Sequence, residues 1–291
     1  MRKVAVIGGN GQLGRDLVEA LSAGHEVYSL SHDDIELSSL ANVQTGLHKL
    51  QPEIVINTAA MHHVENCERE PDQAYAVNAL GARNLALVTR ELDAVLMHVS
   101  TDYVFDGAKQ TPYCEEDAPL PLNVYGNSKL AGEHFVRSIN PKHFVLRTSA
   151  LYGQHPCRAK GGKNFVDLML KLGQERGQVR VVACETISPT STADLSRQIA
   201  ALAHTSAFGL YHATAEGSCS WHEFARQIFA AAGMKVRCEV AEANEFPAKV
   251  PRPAYSVLEN AGLKRIGLNH FPHWRNGLNA YLEKTYSAVS S

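Results

Sequence analysis

The chain has 291 residues, 45% of them hydrophobic and 20% charged, with a formal net charge of −2, the profile of a folded protein with a large core in one or two domains. A near-neutral charge without a basic block leaves no electrostatic footprint for nucleic acid, and no apolar run reaches the length of a membrane span. Met1 to Ile7 is too short before Gly8 to be a signal peptide, so a cytoplasmic location is expected, with the six scattered cysteines, none in a CxxC pair, as free thiols.

Val4 to Ile7 is a short β-branched run, and Gly8-Gly9-Asn10-Gly11-Gln12-Leu13-Gly14 follows at once. This predicts a strand, a tight glycine turn and a helix. Gly8, Gly11 and Gly14 form GxxGxxG, which lets a pyrophosphate approach the backbone at a helix N-terminus. Leu13, Leu17, Val18 and Leu21 give that helix its apolar stripe, and Gly24 closes it. Glu26 to Leu30 is the second strand, and the residue leaving it is Ser31, followed by His32. An acid at that position would bond a ribose 2′-hydroxyl and repel a 2′-phosphate. Its absence favours NADPH, with NADH tolerated and Arg15 as a further phosphate contact. Asp33, Asp34 and Glu36 nearby read as a solvated loop.

Leu40 to Leu50 is a helix and Ile54 to Asn57 a third strand, whose exit, Thr58-Ala59-Ala60, is small enough for a cofactor to approach. Pro71 opens a long helix through Leu92, and Ala94 to Val99 is a fourth strand ending on Ser100 and Thr101. In an open parallel sheet ligands bind beyond such strand ends. Tyr125 to Ile139 is a helix that carries Tyr125 and Lys129 four residues apart on one face. YxxxK is a short pattern that chance places on many helices. An ammonium beside a phenol would nevertheless favour the phenolate and make Tyr125 an acid or base usable near neutral pH.

At these residues the chain resembles the extended short-chain dehydrogenase/reductases, and among them the dTDP-4-dehydrorhamnose reductases. The matching segments are Gly8-x-x-Gly11-Gln12-Leu13-Gly14, Asn57-x-Ala59-Ala60, Val77-Asn78, Ser100-Thr101-Asp102-Tyr103-Val104-Phe105-x-Gly107, Tyr125-Gly126-x-Ser128-Lys129-Leu130-x-Gly132-Glu133, Arg147-Thr148-Ser149, Asn164-Phe165 and Pro189-Thr190. They run through nearly the whole chain. The resemblance implies that Thr101 and Tyr125 hold the C4 oxygen of a nucleotide-linked 4-keto sugar, and that Lys129 binds the nicotinamide ribose and lowers the Tyr125 pKa. It adds Gln12, Leu13, Ala59, Ala60 and Asn78 to the cofactor contacts, and Asp102, Tyr103, Val104 and Asn164 to the substrate contacts. Mg2+ and a homodimer also enter through the resemblance alone.

The expected fold is α/β, a doubly wound parallel sheet of the Rossmann type with a smaller interleaved C-terminal substrate lobe. Residues 1–152 form the dinucleotide-binding part, with sheet elements returning at 179–205, and residues 153–291 are mostly lobe. His143 to Thr148 and Val179 to Ala183 read as strands, and Asn164 to Gly173 and Ala193 to Ala203 as helices. Ser220-Trp221-His222-Glu223 has capping-box spacing, with Trp221 and His222 as packing and capping residues. Arg252, in Val250-Pro251-Arg252-Pro253, either reaches a sugar-nucleotide phosphate or is a surface cation.

His62, His63 and Glu65 lack the one-face spacing of a metal motif, so no metal ligands are assigned, and Glu115-Glu116-Asp117 reads as a solvated turn. Where the reductases commonly carry Asp-Gln-x-Gly-x-Pro-Thr, this chain has Cys184-Glu185-Thr186-Ile187-Ser188-Pro189-Thr190. Ala150 replaces a tryptophan, and Met61-His62 are also unusual. These departures predict a kept reaction with a shifted choice of sugar or base. An epimerase or dehydratase of the same superfamily stays open, although Thr101-Asp102-Tyr103 has one acid where dehydratases add a pair. So does a non-catalytic dinucleotide-binding subunit.

Overall fold

The computed structural model describes residues 1–156, 161–242, 245 and 249–286. Its first half alternates strands with helical crossovers: β1 (Lys3–Ile7), α1 (Gln12–Ser22), β2 (Glu26–Leu30), α2 (Leu40–Leu50), β3 (Ile54–Asn57), α3 (Val64–Arg69), α4 (Pro71–Tyr75), α5 (Gly81–Glu91), β4 (Val95–Thr101), α6 (Val124–Ile139) and β5 (His143–Thr148). The second half uses shorter pieces: β6 (Leu151–Tyr152), α7 (Phe165–Arg176), β7 (Gln178–Val181), β8 (Thr186–Ile187), β9 (Thr190–Ser191), α8 (Thr192–Ala203), β10 (Gly209–His212), β11 (Cys219–Ser220), α9 (Trp221–Ala231), β12 (Arg237–Val240), α10 (Ala261–Arg265) and α11 (Trp274–Tyr286).

Six strands pair in the order β10-β5-β4-β3-β1-β2, all parallel. Strand periodicity sends alternate residues to opposite faces. Val4, Val6, Ile54, Ile56, Phe144 and Leu146 pack under α1 and α8. Ala5, Ile7, Val55, Leu96 and Val145 pack under α2, α5 and α6. Each of these valine, isoleucine, leucine and phenylalanine side chains, fully buried, contributes roughly 1.5–3 kcal/mol. A separate cluster, centred on Phe224, Ile228, Trp274 and Leu278, fills the lobe. The chain leaves β1 outward to β2 and returns to β3 on the other side. That reversal opens a crevice beyond the ends of β1 and β3.

Three expectations are corrected. The strand read at 179–183 is β7, which pairs with β12 in a two-stranded sheet of its own; the sixth central strand is β10. The helix read from Pro71 to Leu92 contains a π-turn, Ala76–Leu80, between α4 and α5. Glu115 is not solvated, since its Oε1 accepts from His212 N at 2.9 Å and Gly262 N at 3.0 Å and so ties a loop to β10 and α10. Ser220 and Glu223 do form the capping box that opens α9. Five cysteines are free thiols, and Cys157 lies outside the described residues. Among the described residues no helix is long and apolar enough to cross a membrane.

Candidate active site

The glycine turn is built for close approach. Gly8, at φ 76°, donates its N–H to Leu30 O at 2.8 Å, and a Cβ there would lie 2.8 Å from Thr58 Oγ1. A Cβ on Gly14 would lie 2.2 Å from Gly8 O, so α1 sits directly on the turn. Gly11 caps α1 without a side chain, leaving its first-turn N–H groups open to an anion. These features fit a dinucleotide pyrophosphate. Thr58 Oγ1 donates to Ile7 O at 2.8 Å and pins the β3 exit against this turn.

The hydroxyl cluster lies beyond β4. Thr101 ends that strand and caps a 3-10 turn, Asp102–Val104, by accepting from Tyr103 N at 3.2 Å. Tyr125 stands in the first turn of α6, which Asn123 caps by accepting from Gly126 N at 2.9 Å. Asn123 also donates to Pro251 O at 2.9 Å, so the Arg252 loop is fastened to the same helix start. A Cβ on Gly126 would lie 2.2 Å from Tyr103 O; the motif glycine is what lets α6 close on the 3-10 turn. The Tyr103 and Tyr125 rings meet edge to face at 5.8 Å. Thr101 Oγ1 donates to Asp102 Oδ1 at 3.0 Å and neighbours the Tyr125 phenol.

Burial raises the Tyr125 phenol well above its ordinary value, and the nearby Asp102 carboxylate adds to that shift. Lys129 has no part in it. Its Nζ donates to Val99 O at 2.7 Å and lies 3.4 Å from His98 Nε2. The expectation that an ammonium lowers the Tyr125 pKa is therefore corrected: the residues share a face of α6, but the amine turns toward β4 and burial sets the shift. Burial lowers Lys129 itself to about 8.

A family model described as the RmlD substrate binding domain matches residues 1–287. A dTDP-4-dehydrorhamnose reductase of Sinorhizobium fredii is 35% identical over 94% of each chain. The spore coat polysaccharide biosynthesis protein SpsK of Bacillus subtilis is 39% identical over 99% of each. The crystal structure of a dTDP-4-dehydrorhamnose reductase from Bacillus anthracis in complex with NADP is similar with a TM-score of 0.93 at 41% identity, covering 98% of this chain and 99% of that one. The chain belongs to the dTDP-4-dehydrorhamnose reductase family.

The side chains of several residues that the family resemblance assigns to ligands are packed or hydrogen-bonded within the protein. Val104 is fully buried among Phe105, Tyr113 and Leu258. Asp102 is buried, with Oδ2 accepting from Ser149 Oγ at 2.8 Å; it braces Thr101 from behind. Asn164 forms the α7 capping box with Asp167 and donates to Gly153 O at 2.8 Å and Tyr281 Oη at 3.1 Å. Asn78 accepts from Met61 N at 2.9 Å and donates to Met61 O at 2.9 Å and Ser128 Oγ at 3.0 Å, so it fixes the Met61 loop to α6. Leu13 packs in the core, and Gln12 Nε2 donates to His155 O at 3.0 Å. Ala59 and Ala60 line the β3 exit, half-exposed.

Arg252 pairs with Glu65 and lies near Tyr103 and Glu185. Its buried Nε has no partner among the described residues. Glu185, one of the departures, accepts from Trp221 Nε1 at 3.0 Å and makes Trp221 more than a packing residue. Ile187 is buried in β8 against β11. His98 was missed; its signal was a lone imidazole in an otherwise apolar strand run. Among the described residues one group could hold a cation, Asp16, Glu19 and His155 within 4.8 Å. Asp16 Oδ2 there already accepts from Thr192 Oγ1.

Proposed function

We propose that the chain reduces the C4 ketone of a nucleotide-linked 4-keto-6-deoxy sugar, using NADPH and tolerating NADH. The observation that carries this reading is the Thr101 hydroxyl at the end of β4 beside the Tyr125 phenol in the first turn of α6, one strand from the crevice at the glycine turn. The names of the relatives, including one in complex with NADP, support the substrate class and the cofactor.

The dinucleotide, when bound, supplies the hydride. The pyrophosphate would be held at the open N-terminus of α1, with Ser31 near the adenosine ribose and Lys129 near the nicotinamide ribose. Negative charge grows on the ketone oxygen as its carbon is reduced, and a donor aimed at that oxygen lowers the barrier. Tyr125 Oη is that donor and gives up its proton there. Its raised pKa keeps the phenol protonated at neutral pH, which suits a proton donor. Thr101 Oγ1, braced by Asp102, orients the phenol. Asp102 has its two oxygens occupied by Thr101 and Ser149, which disfavours the acid–base elimination of a dehydratase.

The test follows NADPH absorbance with 4-keto sugar nucleotides. Net consumption supports the reductase; turnover with recycled cofactor would indicate an epimerase or dehydratase, and no turnover a binding subunit. A panel of dTDP-, UDP-, GDP- and CDP-linked substrates then identifies the base, dTDP-4-dehydrorhamnose being the reference against which the departures at Ala150, Cys184, Glu185 and Ile187 are judged.

A further inference from the structure

Lys129 is 2% exposed and its Nζ meets Nε2 of the equally buried His98. What that nitrogen offers is decided on the far side of the ring. Asn57, at the end of β3, accepts from Ala59 N–H through Oδ1 at 3.1 Å, which fixes the orientation of its amide. Its Nδ2, a donor only, therefore faces His98 Nδ1 at 3.1 Å. Nδ1 must accept, so a neutral His98 carries its proton on Nε2. Burial, reinforced by the charge of Lys129, keeps this imidazole neutral. An N–H thus points at Lys129. An ammonium there sets donor against donor, whereas an amine can accept the bond with its lone pair and still donate to Val99 O.

We propose that His98, locked by Asn57 in the Nε2-protonated tautomer, is a positioning residue that weakens the hold of Lys129 on its proton. The charged and titratable groups that act on Nζ are His98 on β4 and Glu133 on α6; Arg147 on β5 meets Glu133, and Tyr125 lies one turn back on α6. Glu133 favours the ammonium, but its carboxylate is already engaged by Arg147, at 2.7 Å, and by Ser100, at 2.5 Å. Burial acts in the same direction as His98 and is the largest influence on Lys129. The consequence for catalysis rests on the proposed role of Lys129 at the nicotinamide ribose; the protonation chemistry does not.

Two spectroscopic readouts on the full chain test the inference without substrate. Nitrogen-15 shifts of His98 should show Nε2 protonated and Nδ1 bare throughout the titration of Lys129. The 13Cε shift of Lys129, assigned with Lys129→Arg, should titrate at or below about 8. Asn57→Asp would let Nδ1–H donate to a carboxylate and turn the Nε2 lone pair toward Lys129. Its midpoint should then rise by roughly one unit or more. In a His98→Leu background the same substitution should shift it less than half as far, since only the through-space charge remains. A wild-type proton on Nδ1, or equal shifts in the two backgrounds, would overturn the proposal. If Asn57→Asp does not fold, the wild-type tautomer decides alone. The pH profile of kcat/KM separates the two readings: an alkaline limb that moves with the NMR midpoint supports both, whereas a static limb beside a moving midpoint removes Lys129 from the proposed mechanism and leaves the tautomer standing.

Discussion

The Asp34 carboxylate folds back onto Ser31 and takes both of its donors, the backbone N–H at 2.7 Å and the hydroxyl at 2.7 Å. These are the groups that a cofactor 2′-phosphate at the end of β2 would need, and they hold the Asp34 pKa below its usual range. Ser31 alone suggests NADPH, but the carboxylate stands where it repels a second anion. Asp34→Asn should therefore tighten NADPH relative to NADH by about tenfold. Fluorescence titration of both dinucleotides, with Asp33→Asn as the charge control, measures the ratio. An unchanged ratio, or an equal effect of the control, would show that Asp34 only stabilises its turn.

Tyr125→Phe should keep the fold and dinucleotide affinity while lowering turnover on the order of 100-fold or more. Single-turnover NADPH oxidation beside a thermal melt provides the check. Wild-type turnover in a folded variant would remove Tyr125 as the proton donor.

Glu133 and Arg147 form a fully buried pair, with Arg147 Nε and Nη2 both on the carboxylate and the guanidinium 5.1 Å over the Phe105 ring. Breaking such a pair from one side leaves an uncompensated charge and costs about 3–5 kcal/mol. Glu133→Gln should lower stability by that order in urea unfolding. A loss below about 1 kcal/mol would mean that water or another carboxylate compensates Arg147.

Acid should weaken the fold through its buried histidines. Burial, with Arg147 nearby, lowers His212 to about 3, against an ordinary value of 6.5. The unfolded chain binds that proton more readily, so the stabilisation is complete above pH 6.5 and is lost as pH falls from there toward 3. The slope is about 1.4 kcal/mol per pH unit for this one group. His25, His98 and His143 are shifted in the same direction. Urea midpoints at pH 7.5, 6 and 5 should fall steadily, and His212→Asn should flatten the slope even where it lowers the plateau. A wild-type stability that is flat from 7.5 to 5 would contradict the assignment.

Glu185 places a negative charge beside Arg252 and Tyr103, where the substrate diphosphate would enter. Glu185→Gln should keep an acceptor for Trp221 while removing the repulsion, lowering KM for the best nucleotide sugar by roughly two- to tenfold at low salt, with less effect at high salt. Initial-rate kinetics at two ionic strengths test it; a KM unmoved at low salt would place the diphosphate elsewhere.

Local pattern was enough for the first half of the sheet and the glycine turn. Short β-branched runs alternating with amphipathic stretches leave a parallel sheet as the arrangement that buries both faces, glycine at 14 is required by backbone contact within the turn, and glycine at 8 suits the positive φ of that turn. The pairing of STDYVFxG with YGxSKLxGE likewise carried the family and brought Thr101 to Tyr125, because one motif ends a strand and the other begins the helix packed beside it. What sequence spacing could not decide was the direction of each polar group. Lys129 shares a helical face with Tyr125, yet burial sends its amine to Val99 and His98, 30 and 31 residues away. Asn78, Asn164 and Asp102 stand in motif positions that the resemblance assigns to ligands, but enclosed polar atoms must find partners, and in the folded chain these include Met61, Gly153 and Ser149. Strand membership in the second half was undecidable for the same reason: β7 and β10 are equally short, and only long-range pairing with β12 and β5 assigns one to the lobe and the other to the central sheet.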